Sequence, residues 1–472
     1  MINRSLDESV FPSTLKTAIV TPVHKSGDRQ EVSNYRPISI LPAISKVIEK
    51  VLAEQLVAHL NIENLLHPMQ FGFRANHSTE TACCYFLEVI KGSLDKGGVV
   101  GAVFLDLRKA FDTVNHSVLI SKLSKFKLSV NVVNWIQSYL LGRSQCVRIN
   151  DKMSSLKACV MGVPQGSILG PLLFSAYIND LPSMCDDVGT LMYADDTVLY
   201  ACGKDPEQVA AKLSLAMEQV IEWLRYSCLT LNTDKTAVMY FVNKHKNMVF
   251  PNIIVGGQMI KKVDEFKYLG VTLDHNLTFK SHIKKMCHKV KYNIANFRHI
   301  RNSLTVEASK MYLNAMIFSC FHYCISCWSQ ANKTVLKPIR SLHKQALKTL
   351  DRKPQQYHHC DILDKYKILS FDNLIFYTDV RLVYKIIHDA APPPLKSFVK
   401  LRSELISRSS RSASNGDCNV PKRGSALAQS VFSFKAVKEW NSLPTSLKLC
   451  TNFCTFTREV KKWILRNQPC QH

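Results

Sequence analysis

Residues 191–200 read Leu-Met-Tyr-Ala-Asp-Asp-Thr-Val-Leu-Tyr, with apolar runs on both sides of Asp195 and Asp196. This pattern predicts a β-hairpin that carries the two carboxylates at its turn. Adjacent carboxylates on apolar strands are unfavourable unless a cation neutralises them. Hard oxygen ligands of this kind suit Mg²⁺. The segment therefore predicts a metal site at the tip of a hairpin.

A third acid follows a second apolar segment. Residues 99–105 form an uninterrupted apolar run, which is typical of a strand buried on both faces, and Asp106 comes directly after it. Acids from two strands could bracket two metal ions roughly 3.5–4 Å apart, the arrangement used for in-line displacement at phosphorus. Asp-Asp pairs are common on surfaces, so the prediction depends on both segments together.

Strand and helix patterns alternate through the first 275 residues. Residues 16–23 predict a short strand, and residues 43–60 and 206–226 predict amphipathic helices. Beyond residue 276 the pattern is mostly helical. We therefore predict an α+β fold. The predicted apolar face of the first helix consists of Ile44, Val47, Ile48, Val51, Leu52, Leu56 and Leu60.

Charge divides the chain into two parts. Residues 1–275 hold 28 Lys or Arg against 26 Asp or Glu, whereas residues 276–472 hold 33 against 11. This asymmetry predicts a catalytic or scaffold unit joined to a region that binds a polyanion. A basic surface with no such partner is the alternative.

Composition limits the class of protein. Apolar residues make up 46% of the chain and charged residues 21%, as in ordinary globular proteins. No apolar run reaches the roughly twenty residues that span a bilayer, and no secretion signal is recognisable. The 16 cysteines therefore predict reduced thiols. We expect an intracellular protein without a membrane partner, with the nucleus and a cytoplasmic ribonucleoprotein as candidate compartments. The sequence leads to no prediction of the oligomeric state.

Seven ordered motifs resemble those of reverse transcriptases, in particular the non-LTR (LINE-type, jockey-like) retrotransposon enzymes. The resemblance extends from about residue 12 to 275, and more loosely to about 400. The motifs are Asn34–Ser39, Gln70–Arg74, Asp106–Asp112, Gly162–Pro171, Tyr193–Asp196, Leu231–Thr236 and Phe266–Gly270.

The resemblance implies a right-hand polymerase with fingers, a palm of antiparallel sheet and helices, and a helical thumb. The expected divisions are fingers over 1–98, palm with interleaved fingers segments over 99–275, and thumb over 276–350. A basic C-terminal region follows over 351–472, with a mobile segment predicted near 402–417 from its Ser- and Arg-rich composition. The implied activity is RNA-directed DNA polymerisation, in which dNTPs are added to a DNA primer on an RNA template.

The resemblance also implies roles for individual acids and a lysine. Asp106 and Asp195 would be the main ligands of two Mg²⁺ ions, or Mn²⁺, with Asp196 in support. For Asp196 the alternative is that it only caps the turn. Lys235 would protonate the departing pyrophosphate, with simple phosphate contact as the alternative.

Further residues are implied to bind substrates. Phe111 occupies the sugar-gate position, which favours deoxynucleotides, although a core Phe is the alternative. Gln165 and Gly166 would lie against the nascent base pair. Lys25 and Arg36 would contact the triphosphate, unless they are ordinary surface charges. The primer grip would consist of Phe266, Tyr268, Leu269 and Gly270.

A group of Cys and His residues raises the question of zinc. The spacing lacks the two clean ligand pairs of a closed site, and the apolar surroundings favour core thiols. The residues are Cys320, His322, Cys324 and Cys327, with His358, His359 and Cys360 as possible additions.

The chain departs from full-length relatives at its start, where no room precedes the first motif for their endonuclease. We therefore expect a truncated element copy, a partial gene model or a polymerase module, not autonomous insertion. The alternative function is that of a catalytically silent, retrotransposon-derived RNA-binding protein. An RNA-dependent RNA polymerase is a third candidate, and the aromatic Phe111 counts against it.

Overall fold

The computed structural model describes residues 2–185, 187–243, 248–405 and 415–468. The described strands are β1 Thr17–His24, β2 Tyr35–Ile40, β3 Val99–Leu105, β4 Arg143–Ile149, β5 Lys152–Met153, β6 Lys157–Cys159, β7 Gly189–Tyr193, β8 Asp196–Gly203, β9 Ala237–Phe241, β10 Ile254–Val255, β11 Gln258–Met259, β12 Lys261–Lys262, β13 Glu265–Tyr268 and β14 Val271–Asp274.

The described α-helices follow the same numbering in chain order. They are α1 Ile2–Asp7, α2 Ala43–Ile62, α3 Thr79–Asp95, α4 His116–Leu123, α5 Val130–Leu140, α6 Leu169–Tyr177, α7 Pro206–Tyr226, α8 Lys280–Ile300, α9 Val306–Tyr312, α10 Ser319–His322, α11 Ile325–Trp328, α12 Lys333–Leu350, α13 His359–Tyr366, α14 Phe371–Ile387, α15 Pro393–Lys396, α16 Arg402–Leu405, α17 Ala426–Gln429, α18 Phe432–Asn441, α19 Thr445–Lys448 and α20 Phe453–Arg466.

A five-stranded sheet, ordered β12-β9-β3-β8-β7, forms the centre of the fold. Strand β3 pairs antiparallel with both β8 and β9. Because successive side chains of a strand point to opposite faces, β3 contributes to two cores. Val103 and Leu105 enter one core, whereas Ala102 and Phe104 enter the other. The predicted strand buried on both faces is confirmed.

Helices cover both faces of this sheet. Helix α7 packs against β3 and β8, and α3 packs on the opposite face. The bounds of α7, Pro206–Tyr226, agree with the predicted helix. Asp205 begins it, since its carboxylate accepts a hydrogen bond from Gln208 N at 2.7 Å. The mixed sheet and helices confirm the α+β class.

A second sheet is ordered β2-β1-β4-β5 with β6 beside β4, and α2 packs against α6. Helix α2 forms as predicted, but the prediction of its buried face is partly wrong. Ile44 and Val47 are each 55% exposed, whereas Ile48, Leu52 and Leu56 are buried. The neighbouring elements cover a stripe with four-residue spacing, which is narrower than the apolar stripe of the sequence.

The second half of the chain is helical, as predicted. Helix α8 packs on α12, α14 packs on α18 and α20, and one hydrophobic core continues from α3 to Ile464. Of the predicted mobile segment, residues 406–414 lie outside the described residues, and Arg402–Leu405 is one short helix. Among the described helices, none has the length and apolar character needed to cross a membrane.

Polar contacts also attach the end of the chain to α3. The buried carboxylate of Glu88 accepts hydrogen bonds from Ser433 N at 2.5 Å and Ser433 Oγ at 2.8 Å, and lies 3.3 Å from Arg423. The buried Lys91 donates to Gln330 and Ser430, each at 2.8 Å. The C-terminal helices therefore satisfy charges that α3 buries.

Candidate active site

The predicted hairpin is present, and its turn carries the adjacent acids. Tyr193 at the end of β7 pairs with Asp196 at the start of β8, and Ala194 has a φ of 55°. Leu105 of β3 pairs with Thr197, so Asp106 follows one step beyond the last pair and lies beside Asp196. The structure therefore brings the three acids of the sequence analysis to one end of the central sheet.

The three carboxylates repel one another. Displacement of water by surrounding protein atoms, followed by the charges of Asp195 and Asp106, raises the pKa of Asp196 to about 6. Loss of hydration and the Asp106 charge likewise raise the pKa of Asp195, although its side chain still reaches solvent. Lys25 and Arg36 act on the pKa of Asp195 in the opposite direction. The donor set is oxygen-only and carries surplus negative charge, which fits a divalent cation.

The three acids do not form a closed cluster of ligand atoms. Among the described residues, His358, His359 and Cys360 are a group whose potential ligand atoms all lie within 4.8 Å of one another. Asp106, Asp195 and Asp196 do not meet this criterion. Mg²⁺ commonly takes one or two protein carboxylates together with water and substrate phosphates. A metal ion held by these acids would therefore need further ligands from water or from a nucleotide.

The segment Met69–Gly72 holds the hairpin from one side. Phe71 N donates to Met192 O at 2.7 Å, and Met192 N donates to Met69 O at 2.9 Å. The buried Gln70 places Oε1 between Gly72 N at 2.8 Å and Ala194 N at 3.2 Å. A Cβ on Gly72 would lie 2.3 Å from Ala194 N, so only glycine permits this approach. Sequence reasoning recognised this motif but missed the role of Gln70.

Two aromatic rings pack against Phe111, which lies five residues after Asp106. The ring of Phe111 stacks on Phe174 of α6 at 4.3 Å between centroids. Phe73, which is 50% exposed at a φ of 57°, meets Phe111 edge-on at 6.3 Å. A bulky residue at positive φ is unusual, and such conformations concentrate at functional sites. Phe111 is half-buried, so one part packs in the core while another stays accessible.

The glycine-rich loop before α6 lies between two other elements. Gln165 Nε2 donates to Asp112 Oδ1 at 2.8 Å, and Gln165 O accepts from Ser39 N at 2.7 Å. Gly166 has a φ of 117°, and a Cβ there would lie 2.6 Å from Ser39 O. The loop therefore links the segment after β3 to strand β2.

The predicted cationic residues occupy two separate places. Arg36 pairs with Val23 in the β1–β2 ladder, and Lys25 follows β1, so both are exposed on one hairpin. From there their positive charges act to lower the pKa of Asp195. Lys235 is exposed in the loop before β9. The same loop contains Asn232, whose amide contacts Asp106 and which sequence reasoning missed.

The predicted primer-grip hairpin forms as β13–β14, with Leu269 and Gly270 at positive φ in its turn. Phe266 stacks on Phe104 of β3 at 4.1 Å. The side chains of Tyr268 and Leu269 are buried, so they face the core and not a primer. Any contact of this pair with a primer must therefore come from the backbone.

The zinc hypothesis receives no support from the central cysteines. Cys324 and Cys327 are buried, and Cys327 Sγ lies 3.4 Å from Cys84 Sγ in an apolar core. His358, His359 and Cys360 are close together, but Lys344 and Lys348 lie near enough, after the larger effect of burial, to help lower the pKa of His359 to about 4. The positive charges around this group oppose a divalent cation.

The sequence of the site also matches a known protein family. Residues 23–273 match the family model described as reverse transcriptase (RNA-dependent DNA polymerase). The chain belongs to the reverse transcriptase family. This match confirms the family and the right-hand polymerase fold predicted from the motifs. The matched range includes the three acids, Phe111 and the loop that contains Lys235.

Relatives of this chain come from mobile elements. The RNA-directed DNA polymerase from mobile element jockey of Drosophila melanogaster is 28% identical over 77% of this chain and 40% of its own length. The probable RNA-directed DNA polymerase from transposon BS of the same organism is 31% identical over 74% of this chain and 40% of its own length. The predicted jockey-like resemblance is confirmed, and the chain spans about two-fifths of these relatives. Apo telomerase from Candida tropicalis aligns over 76% of this chain and 67% of its own, at 13% identity and a TM-score of 0.41.

Proposed function

We propose that this reverse transcriptase chain is an RNA-directed DNA polymerase of a non-LTR retrotransposon, which adds dNTPs to a primer 3′-hydroxyl. The observation that carries the proposal is the placement of Asp106, directly after β3, beside Asp195 and Asp196 at the β7–β8 turn. RNA template, DNA primer and dNTPs are the proposed substrates.

Divalent metal ions are general to this family, and we propose two Mg²⁺ ions, with Mn²⁺ as a substitute, held by Asp106 and Asp195 with Asp196 in support. When bound, such ions promote ionisation of the primer hydroxyl and neutralise charge on the triphosphate. The chain's own part is to hold three carboxylates in fixed positions at the end of the central sheet, where mutual repulsion favours a cation.

Other residues bind and orient the nucleotide. Lys25 and Arg36 lie on the fingers hairpin, from which their positive charges reach the site of Asp195. Phe111, fixed by stacking on Phe174, excludes a 2′-hydroxyl. Lys235 supplies a proton to the departing pyrophosphate from its exposed loop.

We propose that Gln165 and Gly166 shape the floor under the nascent base pair, and that the β13–β14 turn contacts the primer. The exposed lysines of α8 would bind the duplex backbone through phosphate, in agreement with the basic second half of the chain. The proposed divisions are fingers over 1–98, palm over 99–275, thumb over 276–350 and a C-terminal region over 351–472. The exposed lysines are Lys284, Lys285, Lys289 and Lys291.

Primer extension on an RNA template with dNTPs and Mg²⁺ tests the proposal. We expect extension by the full chain and near-complete loss in Asp195→Asn, because one ligand charge is removed. Asp151→Asn, the same change in the exposed β4–β5 turn, is the matched control and should extend normally. Binding of the template–primer without extension would instead identify a silent RNA-binding protein.

A further inference from the structure

The loop between α7 and β9 is hydrogen-bonded to the end of β3. Arg108 N donates to Thr230 O at 2.9 Å, and Asn232 N donates to Asp106 O at 2.8 Å. Asp106 N donates to Thr236 Oγ1 at 3.3 Å, and Thr236 Oγ1 donates to Asn232 O at 2.8 Å. These bonds already hold the loop in register with the strand end.

Asn232 makes one more contact, and it is with the carboxylate itself. Its Nδ2 donates to Asp106 Oδ2 at 2.8 Å, and both residues are half-buried. A hydrogen bond to an ionised carboxylate is stronger than one between neutral groups. A donor fixed on one oxygen restricts rotation of the carboxylate, and this contact leaves Oδ1 available to a cation.

We propose that Asn232 is a positioning residue that orients the Asp106 carboxylate for metal binding. The inference rests on the proposed function, since it gives Asp106 the role of metal ligand. Asn232 acts through Asp106, and its own contribution is the fixed amide donor. Removal of a group that orients a metal ligand typically costs about 10- to 100-fold in metal affinity or activity.

Mn²⁺ binding provides a readout that does not depend on polymerisation. The full chain is titrated with Mn²⁺ while the free-ion signal is followed by electron paramagnetic resonance. We expect Asn232→Ala to raise the apparent Kd by about tenfold or more. Asn179→Ala is the matched control, because Asn179 Nδ2 donates to Leu65 O at 2.9 Å and its Oδ1 accepts from His67 N at 2.7 Å, so both ends of its amide bind the backbone of another segment. Its Kd should match that of the unmodified chain.

Primer extension then separates orientation from substrate binding. Because the Asn232 amide is already bound to Asp106, kcat should fall about 10- to 100-fold while KM for dNTP changes by less than about twofold. The Mg²⁺ concentration needed for half-maximal rate should rise in parallel. Asn232→Leu removes the donor at similar volume, so it repeats the test if the alanine variant fails to fold.

The possible outcomes are distinct. An unchanged Kd for Mn²⁺ in a folded Asn232→Ala or Asn232→Leu chain overturns the inference, as does an equal loss in Asn179→Ala. If the unmodified chain extends no primer but Asn232→Ala still weakens Mn²⁺ binding, Asn232 keeps its positioning role and the proposed function fails. If the unmodified chain extends primers and the variants equal it, only the inference about Asn232 fails.

Discussion

The side-chain oxygen of Gln70 accepts a hydrogen bond from the backbone N–H of Ala194 at 3.2 Å. Ala194 immediately precedes Asp195, so this contact fixes the height of the turn that presents the acids. The same oxygen accepts from Gly72 N, which ties the turn to the segment Met69–Gly72. A buried amide therefore connects two motifs that are more than one hundred residues apart in sequence.

Replacement of Gln70 by Met should impair both catalysis and stability. The change leaves two buried N–H groups without their acceptor, each at a cost of about 1–3 kcal/mol, and allows the turn to shift. A displacement on the order of 1 Å costs about a hundredfold in rate, so we expect primer extension to fall by at least about tenfold. Extension rates and urea unfolding measure the two effects. Gln208→Met, which removes an acceptor from Lys204 N at the far end of β8, should extend normally, and equal losses would contradict the assignment.

The pH dependence of stability should reveal the repulsion of Asp196 by Asp195 and Asp106. The folded pKa of Asp196, about 6, lies above its ordinary 3.8, so the folded chain holds more protons than the unfolded chain between these values. Stability contributed by this group therefore falls as pH rises through that interval. We expect Asp196→Asn to raise the Tm at pH 7.5, to have a smaller effect at pH 4.5, and to lose its advantage when Mg²⁺ is added. Equal Tm changes at both pH values would count against the repulsion.

Substitution of Phe111 by Val should relax sugar selection. The ring is fixed by Phe174, and its removal opens space where a ribose 2′-hydroxyl would lie. We expect the ratio of ribonucleotide to deoxynucleotide incorporation to rise by about tenfold or more, as measured by kcat/KM for each nucleotide. Phe250→Val removes a ring that stacks on Tyr240 and serves as the control. An unchanged ratio in a folded Phe111→Val chain would exclude the gate.

The contact between Glu88 and Arg423 should be needed for stability. Burial raises the pKa of Glu88, while Ser433 and Arg423 act to lower it. Arg423→Met removes the cation that contacts the buried Glu88 and leaves it only the weaker influence of Lys91, so we expect a loss of about 3 kcal/mol in the free energy of unfolding. Adding Glu88→Gln should restore part of that loss in urea titrations. A double variant no more stable than Arg423→Met would show that the charge is not responsible.

Local pattern predicted the central elements because their own side chains determine them. The apolar run of 99–105 is buried on both faces, and the Tyr193–Asp196 turn forms where two apolar runs meet the acids. Helix α2 shows the limit of such reasoning. Its periodicity is genuine, but Ile44 and Val47 remain exposed because burial depends on how far neighbouring elements extend.

Contacts between distant residues could not be predicted from one sequence. Gln70 and Asn232 are amide side chains within recognised motifs. Their hydrogen-bond partners can be identified only when the strands are placed together. The charges of α3 are similar, since Glu88 meets Ser433 across 345 residues of chain. The roles of Lys25, Arg36 and Lys235 stay predictions until they are tested.

The burial of Glu88 and Lys91 against the last helices has a consequence for biosynthesis. A nascent chain that has completed the central sheet still lacks Ser430 and Ser433, so α3 exposes unsatisfied charges and apolar surface until these residues leave the ribosome. Large proteins expose aggregation-prone surfaces during such intervals. Ribosomes that terminate early on this message would therefore release chains with a complete set of acids but an unfinished scaffold, which are natural clients for chaperones and proteases.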